Sequence, residues 1–188
     1  MENTMKKTGF FALEKFSTSD IIVISLFGAI GIIVGFIGNI FHGFSSLSFI
    51  GPFILHTFIP GIVVFSCAVT VKKPGSATLY SLIASIISMT LMGVPIFIVM
   101  YLVQGLLIDG LTLLMGKRIW TWWGISISGL VYGIAGIFIL YYVVLASQGL
   151  QFPFWVFLVS VPANVGFALV ASLIGLRIGT RASQALIK

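Results

Sequence analysis

Three stretches of this chain, Ile21–Val71, Pro74–Ile108 and Ile119–Leu176, contain no Asp, Glu, Lys or Arg. Each outruns the roughly 20 apolar residues that cross a bilayer. A soluble domain carries about a quarter of its residues as charge to cover its surface, and here the figure is 7%. The sequence therefore belongs to an all-α, polytopic membrane protein. Its net charge of +6 would point to nucleic acid in a soluble protein, but no basic helix or aromatic RNA-binding motif accompanies it, and no nucleic-acid partner is expected. The apolar run Phe10–Leu13 is too short for a signal-peptide core of roughly 7 to 15 residues, so the N-terminal segment is expected to be retained.

An unbroken helix of 51 or 58 residues would be about twice as long as a ~30 Å hydrocarbon core. Gly, Ser and Pro mark where the runs divide. The spans expected are about 20–41, entered through the capping-type run Ser17-Thr18-Ser19-Asp20, then 51–71, 75–93, 96–116, 122–146 and 154–178. Lys6, Lys7 and Lys15 precede the first span; Lys72 and Lys73 fall between the second and third; Lys117 and Arg118 between the fourth and fifth; Arg177, Arg181 and Lys188 close the chain. These are all ten basic residues, and they occupy alternate segments. Because cytoplasmic loops are enriched in Lys and Arg, the pattern predicts six transmembrane helices in one domain with both termini cytoplasmic.

Asp109 is the acid that most needs a reason, since an ionisable side chain at mid-bilayer costs at least ~2.5–3.5 kcal/mol. It lies eight residues before Lys117, hence ~12 Å into the membrane from that end. It reads either as a counter-ion for a cationic ligand or a proton-coupling group, or as a carboxyl tied to neighbouring helix hydroxyls. Gln104 and Tyr101 share a face of the same helix, while Asp109 is turned about 140° from Gln104. Asn39, His42, His56, Trp155 and, nearer mid-depth, Asn164 complete the candidate binding residues. Buried Asn, Gln and His need partners, whereas Tyr and Trp at the interface also serve as anchors.

Enzymatic readings find little support. His42 and His56 lack a nearby carboxylate or Cys and no HExxH occurs, so no metal site or cofactor is expected. Cys67, the single cysteine, reads as a small buried hydrophobe. There is no GxxxxGK[ST] phosphate loop, so any ATP must be hydrolysed by another chain. The small-residue pairs Ser25/Ala29 and Gly31/Gly35 in the first helix indicate close helix packing, either internal or to a partner.

Gly38-Asn39, Gly51-Pro52, Lys72-Lys73-Pro74-Gly75-Ser76-Ala77, Met92-Gly93-Val94-Pro95 and Gln104-Gly105-Leu106 followed by Asp109 together resemble the substrate-binding S components of energy-coupling factor (ECF) vitamin transporters, among them the YkoE type. The stretches cover about Gly38–Asp109. In that family the third helix carries acidic residues where this chain has Ser81 and Ser88. The resemblance implies capture of a water-soluble vitamin or precursor, of thiamine, hydroxymethylpyrimidine or pyridoxine type, at the outer face of the cell membrane. It implies partnership with a transmembrane coupling subunit and two cytoplasmic ATPases. It also makes Ser25-xxx-Ala29 the counterpart of the family's AxxxA coupling motif. The competing expectation is a stand-alone secondary carrier or channel in which Asp109 titrates.

Overall fold

The computed structural model describes residues 15–40, 57–92, 96–139, 142 and 154–186. Within them the chain is helical without a strand: α1 (Thr18–Ile40), α2 (Ile59–Val71), α3 (Ser76–Met92), α4 (Ile96–Met115), a 3₁₀ turn η1 (Gly116–Trp120), α5 (Trp122–Ile139) and α6 (Phe154–Leu186). Ile98–Trp120, Trp122–Ile139 and Phe157–Leu186 are long and apolar enough to cross a membrane, while Thr18–Val34, Ile59–Val71 and Ser76–Thr90 are shorter apolar helices.

The helix starts follow from local chemistry. Ser17 and Asp20 form a reciprocal capping box, in which the Ser17 N–H donates to the Asp20 carboxylate at 2.7 Å and the Asp20 N–H to the Ser17 hydroxyl at 3.2 Å. α2 ends at Lys72, whose N–H still donates to the Ala68 carbonyl and whose left-handed backbone (φ 55°) then turns the chain out of the helix. Gly75 (φ +95°) completes the reversal into α3. Past the charge-free run, α6 continues to Leu186 rather than ending near Ile178. Hydropathy marks where a helix leaves lipid, not where its backbone ladder stops, and Gly179 and Ser183 remain buried on this extension.

α2 is the central helix, buried on every side from Val63 to Thr70. α1, α3 and α6 pack on it, α4 joins α3 to α5, and α5 lies along α6. Apolar side chains are not driven together by water in a bilayer, so small residues that admit neighbouring backbones set the contacts. Gly175 and Gly179 of α6 face Phe65, Ser66 and Val69 of α2, while Gly129 and Gly133 of α5 face Ser172 and Ala168 of α6. The outer surfaces carry large exposed hydrophobics such as Leu26, Ile86, Leu106, Leu130 and Leu158.

One end of the bundle gathers the charges. Lys73 Nζ pairs with Asp20 at 2.7 Å and donates to the Lys15 carbonyl at 3.2 Å, so the start of α1 is fastened to the α2–α3 turn. A cleft at the same end is lined by Ser19 and Val23, by Thr70 and Lys72, and by Ser183 and Leu186 of α6. The start of α1, the α2–α3 turn and the last turns of α6 thus share one end, as alternate basic segments require.

Candidate functional site

Among the buried polar side chains of α4, which include Gln104, Asp109 and Thr112, the surroundings of the first two differ most. Asp109 is 6% exposed. Its carboxylate accepts the backbone N–H of Thr78 at 2.6 Å and of Ala77 at 3.3 Å. These are among the first amides of α3, which have no intrahelical acceptor and carry the positive end of the helix dipole. Asp109 therefore caps α3 from the neighbouring helix. The Thr78 hydroxyl also hydrogen-bonds this carboxylate, so Asp109 is tied to the start of α3 by backbone amides and by a hydroxyl.

Gln104 is 2% exposed, and among the described residues neither its Oε1 nor its Nε2 has a hydrogen-bond partner. A buried amide without a partner costs about 1–3 kcal/mol, so an unused donor and acceptor at this depth call for a reason. It faces α5 at Gly136, where a Cβ would stand 2.9 Å from Gln104 Nε2 and 3.5 Å from Asn164 Nδ2. The absence of a side chain at Gly136 thus lets the amides of α4 and α6 both come close to the backbone of α5.

Asn164, 1% exposed, is held in place. Its Oδ1 accepts the Thr57 hydroxyl from the turn leading into α2, and its Nδ2 donates to the Gly133 carbonyl at 2.6 Å. Three helices and a turn therefore converge on the Gln104–Asn164 pair. Tyr101, one turn from Gln104 on the same face, has its hydroxyl in hydrogen-bond contact with Ser88 of α3. Tyr132 of α5 packs edge-on against Phe65 with ring centroids 5.5 Å apart, and Tyr80 of α3 lies beneath Gly31 of α1. Aromatic and amide groups thus line the interior between α3, α4, α5 and α6.

Of the residues singled out from sequence, Gln104 and Asn164 come together, with Tyr101 beside them. Trp155 is 62% exposed near the start of α6 and stands apart from this cluster. His42 and His56 lie outside the described residues, and Asn39 is placed only as backbone of α1. Ser25 and Ala29 are both exposed on the outer face of α1, whereas Gly28 and Gly31 turn inward to Ile83 and Tyr80. Sequence reasoning did not select Thr57, Gly133 or Gly136. The spacing Gly129, Gly133, Gly136 was the available signal, since it lays a small-residue stripe along one face of α5.

With this geometry in hand, comparison with known proteins defines the class. A crystal structure of an S component of an ECF transporter is similar with a TM-score of 0.69, over 92% of this chain and 88% of that one, at 20% sequence identity. The chain therefore has the S-component fold. Residues 19–135 match the family described as ABC-type cobalt transport system, permease component, and the chain belongs to that family. No match is found among curated proteins.

Proposed function

We propose that this protein is the substrate-capture subunit of an ECF-type importer in the cell membrane, taking a small water-soluble compound from the outer face. The single observation that carries the reading is Gln104, a buried amide beside Asn164 with no partner among the described residues, inside an S-component fold. In this role the basic end of the bundle is cytoplasmic, all six helices span the bilayer, and a coupling subunit with two ATPases supplies the energy that this chain has no motif to supply.

A vitamin or vitamin precursor suits the donor set. Amides and hydroxyls exchange a polar ligand's water for fixed hydrogen bonds, and the tyrosines offer ring contacts. The family's description names cobalt. Co²⁺ is better matched by imidazole than by Gln, Asn and Thr, and the described residues contain no group of three or more His, Cys, Asp or Glu. The carrier alternative draws less support, because the Asp109 carboxylate is already engaged by the α3 amides.

Titration of the purified protein with thiamine, hydroxymethylpyrimidine, pyridoxine, pantothenate and Co²⁺ tests the proposal. Saturable binding of one organic compound, with uptake only when the coupling subunit and ATPases are co-expressed, is the expected result. Uptake by this chain alone would install the carrier reading, and tight Co²⁺ binding with no organic ligand would install the metal reading.

A further inference from the structure

The turn between α4 and α5 carries features that substrate capture leaves unused. α4 gives way at Gly116 to a left-handed backbone (φ +55°), and η1 then leads directly into α5. Asp109, about two turns before Gly116, reaches the start of α3, so η1 emerges at the same end of the bundle as Lys72 and Lys73. Lys117 and Arg118 are exposed there. So are Trp122 and Trp123, whose rings stack with centroids 3.9 Å apart.

The turn is firmly built. Ile119 is fully buried between the exposed pairs. The Thr121 hydroxyl donates to the Arg118 carbonyl at 2.7 Å and accepts the Gly124 N–H at 3.3 Å, which caps α5. At Gly124 a Cβ would stand 2.5 Å from both the Arg118 carbonyl oxygen and Ile119 Cα, so α5 sits directly against η1. Two cations and two indoles are thus set beside each other on one short, tightly packed segment.

Neither cation has an acid to pair with among the described residues. These contain two acids, Asp20, which Lys73 takes, and Asp109, which the α3 amides hold. Trp123, Ile127 and Leu130, at i, i+4 and i+7, are exposed along one face of α5 that runs from the turn into the apolar zone. A topology signal requires only charge, and an interfacial anchor only a ring. Here both stand at the head of an exposed apolar ridge. α1, which carries Ser25 and Ala29, packs on α2 and α3, whereas α5 packs on α4 and α6, so the ridge lies on another side of the bundle from that small-residue face.

We infer that η1 and the start of α5 form a binding surface for an anionic phospholipid of the cytoplasmic leaflet. Lys117 and Arg118 take the phosphodiester, to which a guanidinium offers paired N–H donors. Trp122 and Trp123 lie at the glycerol level, and an acyl chain follows Ile127 and Leu130. A choline headgroup has the same phosphate but brings an ammonium up to two cations, so the surface favours a headgroup without an amine, such as phosphatidylglycerol. Only the cytoplasmic placement of the basic end is carried over from the proposed function.

The test is native mass spectrometry of the purified full-length protein, titrated with phosphatidylglycerol or phosphatidylcholine of identical chains. The wild type should bind the first phosphatidylglycerol about 10-fold or more tightly, since each cation near an anionic lipid surface contributes roughly fivefold. Lys117→Gln/Arg118→Gln should bring the two lipids close to equality, whereas Lys72→Gln, at the same end but off the patch, should keep the preference. Trp122→Leu/Trp123→Leu should weaken both lipids without changing their order. The wild-type ratio is decisive by itself if a variant does not fold. Equal binding of the two lipids by the wild type, or a preference that survives Lys117→Gln/Arg118→Gln, overturns the inference. Displacement of the lipid by equimolar inorganic phosphate would make this a site for a soluble anion and overturn it as well. So would loss of lipid preference in every protein combined with failure of Lys117→Gln/Arg118→Gln to co-purify with the coupling subunit and ATPases, which would give the surface to a protein partner. Each of these results leaves substrate capture standing.

Discussion

Asp109 and Gln104 are five positions apart on α4, yet one is bound on both oxygens by the start of α3 and the other, among the described residues, on neither atom of its amide. The two should respond differently to substitution. In the proposed role Gln104 bonds substrate, so Gln104→Leu should weaken binding by about 1–3 kcal/mol, some 5- to 150-fold, with the fold intact. Asp109→Asn keeps one acceptor but removes the charge facing the helix dipole. It should cost stability by about 1 kcal/mol and leave affinity nearly unchanged. Unfolding in mixed micelles and ligand titration on both variants separate the effects. A collapse of affinity in Asp109→Asn with a wild-type response in Gln104→Leu would move the site toward the basic end and favour the carrier.

Helix contacts in this bundle are decided by which glycines face a neighbour. At Gly175 of α6 a Cβ would stand 2.6 Å from Phe65 Cβ and 3.1 Å from the Ile62 carbonyl oxygen, whereas at Gly166 of the same helix nothing lies within 4 Å. Gly175→Val should therefore force α6 off α2 and destabilise by about 1–3 kcal/mol. Gly166→Ala should be neutral or should stabilise by up to ~1 kcal/mol through helix propensity. Thermal unfolding in detergent gives both, and equal losses would mean that the close approach of α2 and α6 is not what the glycines secure. On α1, Ser25 and Ala29 are exposed, so Ser25→Trp or Ala29→Trp should leave ligand binding to the isolated protein intact while abolishing uptake in the presence of the coupling subunit. Loss of binding in step with uptake would argue against a partner face.

At the scale of the whole molecule, the grouping of Lys15, Asp20, Lys73 and the end of α6 makes the topology directly testable. Cys67 is fully buried, so the native thiol should be silent and introduced cysteines can be read against a clean background. Arg118→Cys, exposed on η1 at the basic end, should react with an impermeant maleimide only after the cells are opened. Ser46→Cys, in the uncharged segment that the sequence places between the first two expected spans, should react in intact cells. The reverse labelling pattern would invert the orientation and with it the outer location of the ligand site.

Composition and charge spacing by themselves determined the class, the number of helices and the alternation of basic segments, because each is a property of the chain against its solvent. A 20-residue apolar run has one satisfactory backbone state in lipid, and Lys and Arg have one preferred side. The capping box at Ser17 was equally local, and it stands as the residue pattern requires. Gln104 and Asn164 stood out in the sequence because burying an amide at depth is costly wherever it happens. That they meet across Gly136, that Thr57 and Gly133 hold Asn164, and that Asp109 caps a helix other than its own were decided only by tertiary structure. A membrane hydroxyl such as Thr57 carries no signal, since most of its kind bond within their own helix, and a glycine stripe says that something approaches without saying what. Such pairings depend on the rotation and depth of one helix against another, which a nearly uniform apolar surface leaves open until close packing selects a single arrangement.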